Sequence, residues 1–196
     1  QFLQGKMPNQ LTVYEPIESQ FDLDKQYPQS GETLLTHAAK QRCAVVLENM
    51  RWSTADLNAP NAKGETALAI AVAQGDKASI DALLKGIKNQ NPQNPGWLPT
   101  ADVNLASYYP VEESSKAIAP IAPIAIAALI QPQLVAGLIH YGADVNCQVG
   151  NGYLMHTLVE GAEKNPDRYL PAIDVVLESK HANLELETDG GQTPLA

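Results

Sequence analysis

Apolar and polar positions alternate in blocks along most of the chain, and the apolar blocks have the period of an α-helix. Within a block, apolar residues return every three or four positions, as in residues 80–84 and 134–139, which predicts helices with one buried face. Polar, glycine-containing segments separate the blocks and predict turns, because glycine tolerates positive φ angles. Several blocks also contain small residues that would let helices stack closely, namely Ala38, Ala39, Ala71 and Ala127.

The most apolar block is too short to cross a membrane. Residues 117–130 form a run of 14 residues that contains Pro120 and Pro123, whereas a membrane-spanning helix needs about 20 apolar residues. We therefore expect a buried helix in this region and no contact with a membrane.

Two short phrases recur between the apolar blocks in strict alternation. The first phrase reads Gly-Glu-Thr followed by two apolar residues at positions 31–35 and 64–68, and it returns in altered form at 191–196. Its first two copies lie 33 residues apart, which indicates a repeat protein. The second phrase has copies at residues 55–58, 101–104, 143–146 and 182–185.

This pattern resembles the ankyrin repeat, which has a period of about 33 residues and a Thr-Pro-Leu-His-x-Ala phrase. The family's other phrase, Gly-Ala-Asp-Val-Asn, is complete at residues 142–146. The resemblance implies an all-α ankyrin-repeat solenoid of stacked helix-turn-helix units with hairpin loops, made of four repeats plus a partial fifth. It also implies that His156, in the position of the phrase's histidine, bonds to backbone groups within the stack.

The residues that open the helical pairs differ among the repeats. Thr33 and Thr66 can cap a helix N-terminus, because a threonine oxygen accepts a hydrogen bond from an unpaired backbone N–H. Pro123 has a fixed φ that suits the first helical turn. Ala122 stands before it in place of the capping residue, which should cost about 1 kcal/mol of stability.

Departures from the regular spacing locate three insertions in the array. The four repeats are predicted near residues 29–61, 62–107, 118–148 and 149–186, and a fifth begins before residue 196. The insertions are predicted near residues 86–100, 106–118 and 163–169. Loops inserted on one face of a repeat array often bind partners, so the insertions are candidate interaction sites.

The ankyrin-repeat domain is predicted over residues 29–196, and residues 1–28 are treated separately because neither phrase is evident in them. Their apolar side chains could cap the first repeat, or they could belong to a preceding region. Asp22-Leu23-Asp24 begins like a calcium-binding loop, but Tyr27 stands where that loop needs glycine and Thr33 where it needs glutamate.

Composition limits the classes of partner. The chain has 196 residues, of which 44% are hydrophobic, so a folded core is expected. The net charge of -9 disfavours nucleic acids and anionic membranes as partners. Residues 121–196 carry three basic and nine acidic residues, so this part could attract a protein partner with a basic surface.

Catalytic and metal-binding motifs are not evident in the sequence. Cys43 and Cys147 cannot form a disulfide framework and lack the spacing of metal ligands, so reduced thiols in a cytoplasmic protein, with no metal and no cofactor, are expected. A thiol nucleophile paired with histidine, either Cys43 with His37 or Cys147 with His156, is the least favoured hypothesis, because a repeat stack offers no deep pocket.

The resemblance implies a function as well as a fold. Ankyrin-repeat proteins generally bind other proteins through a concave face and a row of hairpin fingertips, so a non-enzymatic protein–protein interaction scaffold is predicted. The irregular repeats, large insertions and asparagine and glutamine usage look like the effectors that intracellular bacterial pathogens inject into host cells. An alternative is a targeting or substrate-binding module of a larger enzyme whose catalytic domain lies outside this sequence.

The candidate partner-binding residues are exposed positions on hairpins and insertions: Lys63, Trp97, Tyr108, Tyr109, Glu112 and Glu113. Lys63 belongs to a fingertip of normal length, with Asn61 and Ala62 beside it as further candidates. Exposed aromatic residues are frequent binding hot spots, although Trp97 could equally fold back onto an outer helix. Trp52 follows an outer helix and is expected to pack against the array.

Asn146 is a candidate modification site on the strength of the resemblance. In the family, an asparagine at this position can be a substrate of the asparaginyl hydroxylase of animal cells, which favours a leucine eight residues earlier. Leu138 meets that condition. The alternative is that Asp144 and Asn146 only shape the hairpin loop.

Overall fold

The computed structural model describes residues 22–89, 96–108 and 120–195. The helices in these ranges form four consecutive pairs, each with an inner and an outer member. In chain order they are α1 (Leu34–Lys40), α2 (Ala44–Met50), α3 (Ala67–Gln74), α4 (Lys77–Leu84), α5 (Pro123–Ile130), α6 (Val135–His140), α7 (Leu154–Lys164) and α8 (Pro166–Glu178). Two short antiparallel hairpins accompany them, β1 (Lys88–Asn89) with β2 (Gly96–Trp97) and β3 (Gln148–Val149) with β4 (Gly152–Tyr153).

The helices are arranged in two layers. The inner layer is continuous, because α1 packs on α3, α3 on α5 and α5 on α7. In the outer layer α2 packs on α4 and α6 packs on α8. The core lies between the layers and runs from the first pair to the last. The predicted all-α solenoid of stacked helix-turn-helix units is confirmed.

The inner helices α3 and α5 are buried on nearly every side. Every residue from Ala67 to Ala73 is at most 8% exposed, and residues 123–128 are likewise buried. Each of these helices has an inner helix on both sides and an outer helix behind it, so it has no polar face to present. The alternation of alanine with branched residues lets the neighbours approach closely.

The N-terminal ends of the inner helices α1, α3 and α5 follow the predicted capping pattern. The Thr33 side chain accepts a hydrogen bond from the Thr36 backbone N–H at 3.2 Å, and Thr66 caps α3 in the same way. Helix α5 begins at Pro123 and has no side-chain cap. The sequence therefore located these helix starts correctly, including the one without a cap.

Side chains at the roots of the hairpins form a ladder of hydrogen bonds from each repeat to the next. In every rung, a carboxylate or amide oxygen accepts the backbone N–H of the corresponding phrase in the following repeat. The rungs join Asp24 to Asp56 N (2.9 Å), Asn58 to Asp102 N (2.7 Å), Asn104 to Asp144 N (2.7 Å) and Asn146 to Asn183 N (2.8 Å). We call this set the hairpin-root ladder.

The first rung shows that residues 22–24 belong to the repeat pattern. The Asp22 carboxylate accepts the Asp24 backbone N–H at 3.2 Å, just as the Asp56 carboxylate accepts the Asn58 N–H at 2.9 Å. Such turns are typical of aspartate and asparagine. The copy was missed in the sequence because Asp24 stands where the other copies have asparagine or glutamate. The boundary between residues 28 and 29 remains a prediction.

The three predicted insertions differ in structure. The region 86–100 includes the β1–β2 hairpin, although residues 90–95 are outside the described part. Most of 106–118 is also outside it. Residues 163–169 do not form a loop: α7 continues to Lys164 and α8 starts at Pro166. The extra residues of the fourth repeat instead lengthen its two helices to 11 and 13 residues.

None of the described helices combines the length and the apolar character that crossing a bilayer would require.

Replacing a ladder side chain should weaken the array measurably. Asn104→Ala removes the acceptor of the Asp144 N–H and the donor to the Gly142 carbonyl, which lies 3.2 Å from the amide nitrogen. We expect the free energy of unfolding to fall by about 1–2 kcal/mol, the net value of two neutral hydrogen bonds. Urea denaturation followed by circular dichroism measures this change.

Asn49→Ala is the matched control, because the Asn49 amide donates only to the Val45 carbonyl within its own helix, at 2.8 Å. Alanine is also the better helix former. The control should be as stable as the wild type. Equal stability of Asn104→Ala and wild type would show that the ladder does not stabilise the array.

Candidate functional site

Neighbouring hairpins join edge to edge at their tips. The Ala62 backbone N–H donates to the Gly31 carbonyl at 2.7 Å, and the Tyr108 N–H donates to the Gly64 carbonyl at 3.1 Å. Both glycines have positive φ, +67° and +76°. A Cβ on Gly31 would lie 2.5 Å from the Ala62 Cβ, so the contact requires glycine. The tips therefore form one connected surface.

Lys63 and Tyr108 lie side by side on this surface. Lys63 is exposed, and its backbone N–H is held by the Asn61 side chain at 2.9 Å. The Tyr108 ring covers Gly64, where an added Cβ would lie 2.7 Å from ring atom Cδ2, yet 45% of Tyr108 remains exposed. We call Lys63, Gly64 and Tyr108 the fingertip surface.

Asn61 does not belong to the fingertip surface, and the expectation that it does is wrong. It is only 4% exposed. Its amide nitrogen donates to Glu65 Oε2 at 2.7 Å, and its Oδ1 accepts the Glu65 N–H at 3.0 Å. Asn61 thus shapes the loop that presents Lys63, whereas Ala62 is exposed as expected.

Glu32, before the first inner helix, pairs with two basic side chains of that helix. Lys40 Nζ lies 2.7 Å from Glu32 Oε1, and His37 Nδ1 lies 2.7 Å from Glu32 Oε2. The hydrogen bond with Lys40, and to a smaller extent the one with His37, lowers the pKa of Glu32. The hydrogen bond between Lys40 and Glu32 also raises the pKa of Lys40. Lys40 also reaches Glu65 of the next repeat at 3.6 Å.

A buried arginine ties the first insertion to the array. Arg51 is 1% exposed, although it follows an outer helix. Its Nε donates to the Pro99 carbonyl at 2.8 Å, and Nη2 lies 3.5 Å from the Leu98 carbonyl. Its Nη1 donates to the carbonyls of Lys85 and Ala82, at 2.5 and 3.3 Å. We call Arg51 and these four carbonyls the Arg51 hub.

The hub satisfies groups that would otherwise be unpaired. The last carbonyls of a helix lack partners within it and carry partial negative charge, which favours a cation at that end of α4. Burial lowers the pKa of Arg51. Sequence reasoning did not single out Arg51, because its partners are backbone groups 31 to 48 residues away.

Trp97 is mainly exposed. It lies on β2 opposite Lys88, and 71% of it is accessible. One edge of its ring covers Gly86, where an added Cβ would be 3.3 Å from ring atom Cε3. Trp97 is therefore accessible to a partner, and its role in partner binding remains a prediction. The expectation that Trp52 packs is largely wrong, because 51% of it is exposed.

Three of the sequence-predicted site residues, Tyr109, Glu112 and Glu113, lie outside the described residues. Their role in partner binding remains a prediction. The structure thus brings Lys63 and Tyr108 together at the fingertips and places Trp97 separately, on the β1–β2 hairpin beside the outer layer.

Both polar atoms of the Asn146 side-chain amide form hydrogen bonds. Its Oδ1 accepts the Asn183 N–H at 2.8 Å, and its Nδ2 donates to the His181 carbonyl at 2.8 Å. Leu138, eight residues earlier, is 1% exposed. The side chain is therefore part of the hairpin-root ladder, and an enzyme could reach it only after the hairpin opened locally.

The thiol chemistry considered for Cys147 has little support in the geometry. Burial, and to a smaller extent the charge of Asp144, raises the pKa of Cys147 to about 12. The reactive form of cysteine is the thiolate, which a raised pKa disfavours. His156 is also occupied: Nδ1 accepts the Tyr153 N–H at 3.2 Å, and Nε2 lies 2.9 Å from the Gln192 carbonyl. The described residues contain no cluster of histidine, cysteine or carboxylate side chains suited to a metal ion.

Comparison with solved structures agrees with this architecture. The ankyrin repeat domain of Bcl-3, described as a unique member of the IkappaB protein family, matches 84% of this chain with a TM-score of 0.61 and 24% sequence identity. The match covers 62% of the Bcl-3 chain. No protein-family model and no curated protein matches this chain. The likeness shows the fold alone: the chain folds as an ankyrin-repeat solenoid.

Cys147 should react slowly with alkylating reagents, and the rate should rise with pH in a characteristic way. In a Cys43→Ser variant, a thiol with a pKa near 12 should react at least about a hundredfold more slowly at pH 8 than free cysteine, whose pKa is about 8.5. The rate should still increase at pH 10, because most of the thiol remains protonated below the raised pKa. Iodoacetamide labelling followed by mass spectrometry measures it.

The same variant unfolded in urea is the control and should react at the rate of free cysteine. A labelling rate that levels off below pH 10 in the folded protein would contradict the assigned environment of Cys147.

Proposed function

We propose that this ankyrin-repeat solenoid is a non-enzymatic scaffold that binds a protein partner through its fingertip surface and its first two insertions. The observation that carries the proposal is the fingertip surface itself. Lys63 and Tyr108 are both exposed, the Asn61 side chain holds the Lys63 N–H, and the Tyr108 N–H donates to the carbonyl of Gly64, which follows Lys63 in the chain. Preorganised groups bind tightly because little conformational entropy is lost on association.

The chemistry of the fingertip surface suits a protein partner. Tyrosine offers a large, partly apolar contact area with few rotatable bonds, and such residues dominate binding energy when a partner covers them. Lys63 adds a charge at the rim, where charges steer association and select partners. Tyr109, Glu112 and Glu113 follow Tyr108 in the chain and are proposed as further contacts with the partner.

The C-terminal repeats supply a second basis for partner selection. Their helices α7 and α8 expose several acidic side chains, namely Glu160, Glu163, Asp167, Asp174 and Glu178. A partner region with a basic surface would be attracted here, whereas nucleic acid would be repelled by the overall charge of -9. A basic protein surface is therefore the proposed partner of this end of the array.

The finer assignments remain predictions. A role as a bacterial effector acting on host proteins rests on the irregular repeats, the large insertions and the asparagine and glutamine usage. A role as the targeting module of a larger enzyme would use the same surfaces, and the proposal of a binding function includes it.

Removing the fingertip side chains should weaken partner binding without unfolding the protein. Lys63→Ala with Tyr108→Ala removes two exposed side chains and leaves the backbone bond from residue 108 to Gly64 in place. Affinity for a partner captured by cross-linking from lysate should fall by about tenfold or more, the effect typical of a hot-spot residue. Biolayer interferometry measures it.

The control is Lys77→Ala with Val45→Ala, which removes an exposed lysine from α4 and an apolar side chain that is 68% exposed from α2, both outside the proposed binding surfaces. It should bind the same partner as the wild type does. If the fingertip variant is folded and retains full affinity for every captured partner, the fingertip surface is not the binding site.

Hydroxylation of Asn146 can be tested against a matched residue in the same protein. Asn104 has the same two amide hydrogen bonds, to the Asp144 N–H and the Gly142 carbonyl, but Gly96 stands eight residues before it. After co-expression with the asparaginyl hydroxylase, mass spectrometry should find one added oxygen on Asn146 and none on Asn104. An unmodified Asn146 would exclude it as a substrate.

A further inference from the structure

The Arg51 hub joins backbone segments of the first two repeats that also carry exposed side chains. Trp52 follows Arg51 directly in the chain. Lys85 contributes a carbonyl to the hub at 2.5 Å, and Trp97 precedes Leu98, whose carbonyl lies 3.5 Å from the guanidinium. Each of these residues is therefore in the hub or next to a residue of it. One buried side chain therefore holds together the backbone segments from which they project.

Lys88 completes this group. It pairs with Trp97 in the register of the β1–β2 hairpin. Residues directly opposite each other in an antiparallel pair project to the same face, with Cβ atoms about 5 Å apart. Lys88 and Trp97 therefore present one charge and one indole ring together. We call Trp52, Lys85, Lys88 and Trp97 the outer tryptophan patch.

The patch exposes more apolar area than a structural role requires. Trp97 and Trp52 are 71% and 51% exposed, although tryptophan usually buries most of its surface in a folded protein. One edge of the Trp97 ring lies against Gly86, among the residues that the structure describes. The remaining faces are available for contact, and tryptophan is the residue type most enriched in binding hot spots.

The charge of the patch is opposite to that of the whole protein. Lys85 and Lys88 are both exposed, and Lys88 is the only charged residue in the first insertion, residues 86–100. Glu48 is an acidic neighbour of the hub. The two lysines thus form a local basic site on a chain with a net charge of -9.

We propose that the outer tryptophan patch is a docking site for an acidic protein segment with an aromatic or aliphatic anchor. The anchor would cover the two indole rings, and carboxylates beside it would pair with Lys85 and Lys88. Charge complementarity of this kind selects partners and speeds their association. The assignment deepens the proposed scaffold function on which it rests, because it names the partner chemistry of the first insertion.

An acidic peptide fits the patch better than a single-stranded nucleic acid does. Aromatic rings and lysines can also stack on bases and contact phosphates. However, nucleic-acid sites track the backbone with a long basic groove, whereas this patch has two lysines within an acidic protein. The number of phosphates it could neutralise is therefore small.

Selection from a random-peptide phage library on the immobilised wild-type chain tests the proposal. The recovered peptides are then measured by fluorescence anisotropy on a variant with Trp52→Ser and Trp97→Ser and on a variant with Lys85→Glu and Lys88→Glu. Peptides that depend on the patch should be enriched in Asp, Glu and large apolar residues. They should lose about tenfold or more in affinity on both variants and should weaken with added salt.

Two matched variants control for the general effects of these changes. Leu170→Ser with Leu177→Ser removes apolar residues that are 47% and 45% exposed on α8. Lys164→Glu with Lys180→Glu reverses two exposed lysines at the other end of the array. Both controls should bind the selected peptides as the wild type does, and circular dichroism should show the same helix content in all variants.

Several results would overturn the proposal. No patch-dependent peptide, or a patch-dependent set enriched in Lys and Arg, would exclude an acidic partner. Tighter binding of a fluorescent oligothymidylate, lost in the tryptophan variant, would assign the patch to nucleic acid instead. Peptides that depend on Lys63 and Tyr108 but not on the patch would leave the scaffold function standing and exclude only this docking site.

Discussion

The hairpin-root ladder is the interaction on which the rest of the structure depends. Each rung satisfies a backbone N–H of one repeat with a side chain of the repeat before it, so neighbouring repeats have one register only. The bonded residues are 32, 44, 40 and 37 positions apart, yet every rung is between 2.7 and 2.9 Å long. The repeats can therefore differ in length while their stacking geometry stays constant, and extra residues are accommodated at the edges of the stack.

Extra residues at the edges need their own anchors, and the chain uses different ones. In the fourth repeat they extend helices α7 and α8, so their backbone groups are satisfied within the helices. In the second repeat they include the β1–β2 hairpin, and Arg51 of the first repeat holds the two residues that follow it, Leu98 and Pro99. No carboxylate of the described residues forms an ion pair with this buried cation, which is tolerated because four carbonyl oxygens surround it. The same contact holds the two residues that follow Trp97 against the first repeat.

The exposed surfaces of the array differ in chemistry as a result. The fingertip surface combines an aromatic ring with a lysine, the outer tryptophan patch combines two indoles with two lysines, and the last two helices carry the acidic excess. Acidic side chains are thus concentrated at the C-terminal end of the array, whereas the two aromatic surfaces carry lysines. A scaffold of this kind could hold acidic and basic partners at different places, which is the physical content of the proposed function.

The sequence by itself determined the repeat architecture, because capping threonines, small residues and Asp-x-Asn turns act locally and can be read from neighbouring positions. Thr33, Thr66 and Pro123 marked their helix starts correctly for this reason. The first copy of the turn at Asp22–Asp24 was missed because its identity depends on the rung to Asp56. Only the tertiary structure placed Arg51 in the interior, left Trp52 exposed and buried Asn61. These positions depend on contacts with groups distant in the chain or on the way a loop closes, and neither has a signature in local sequence.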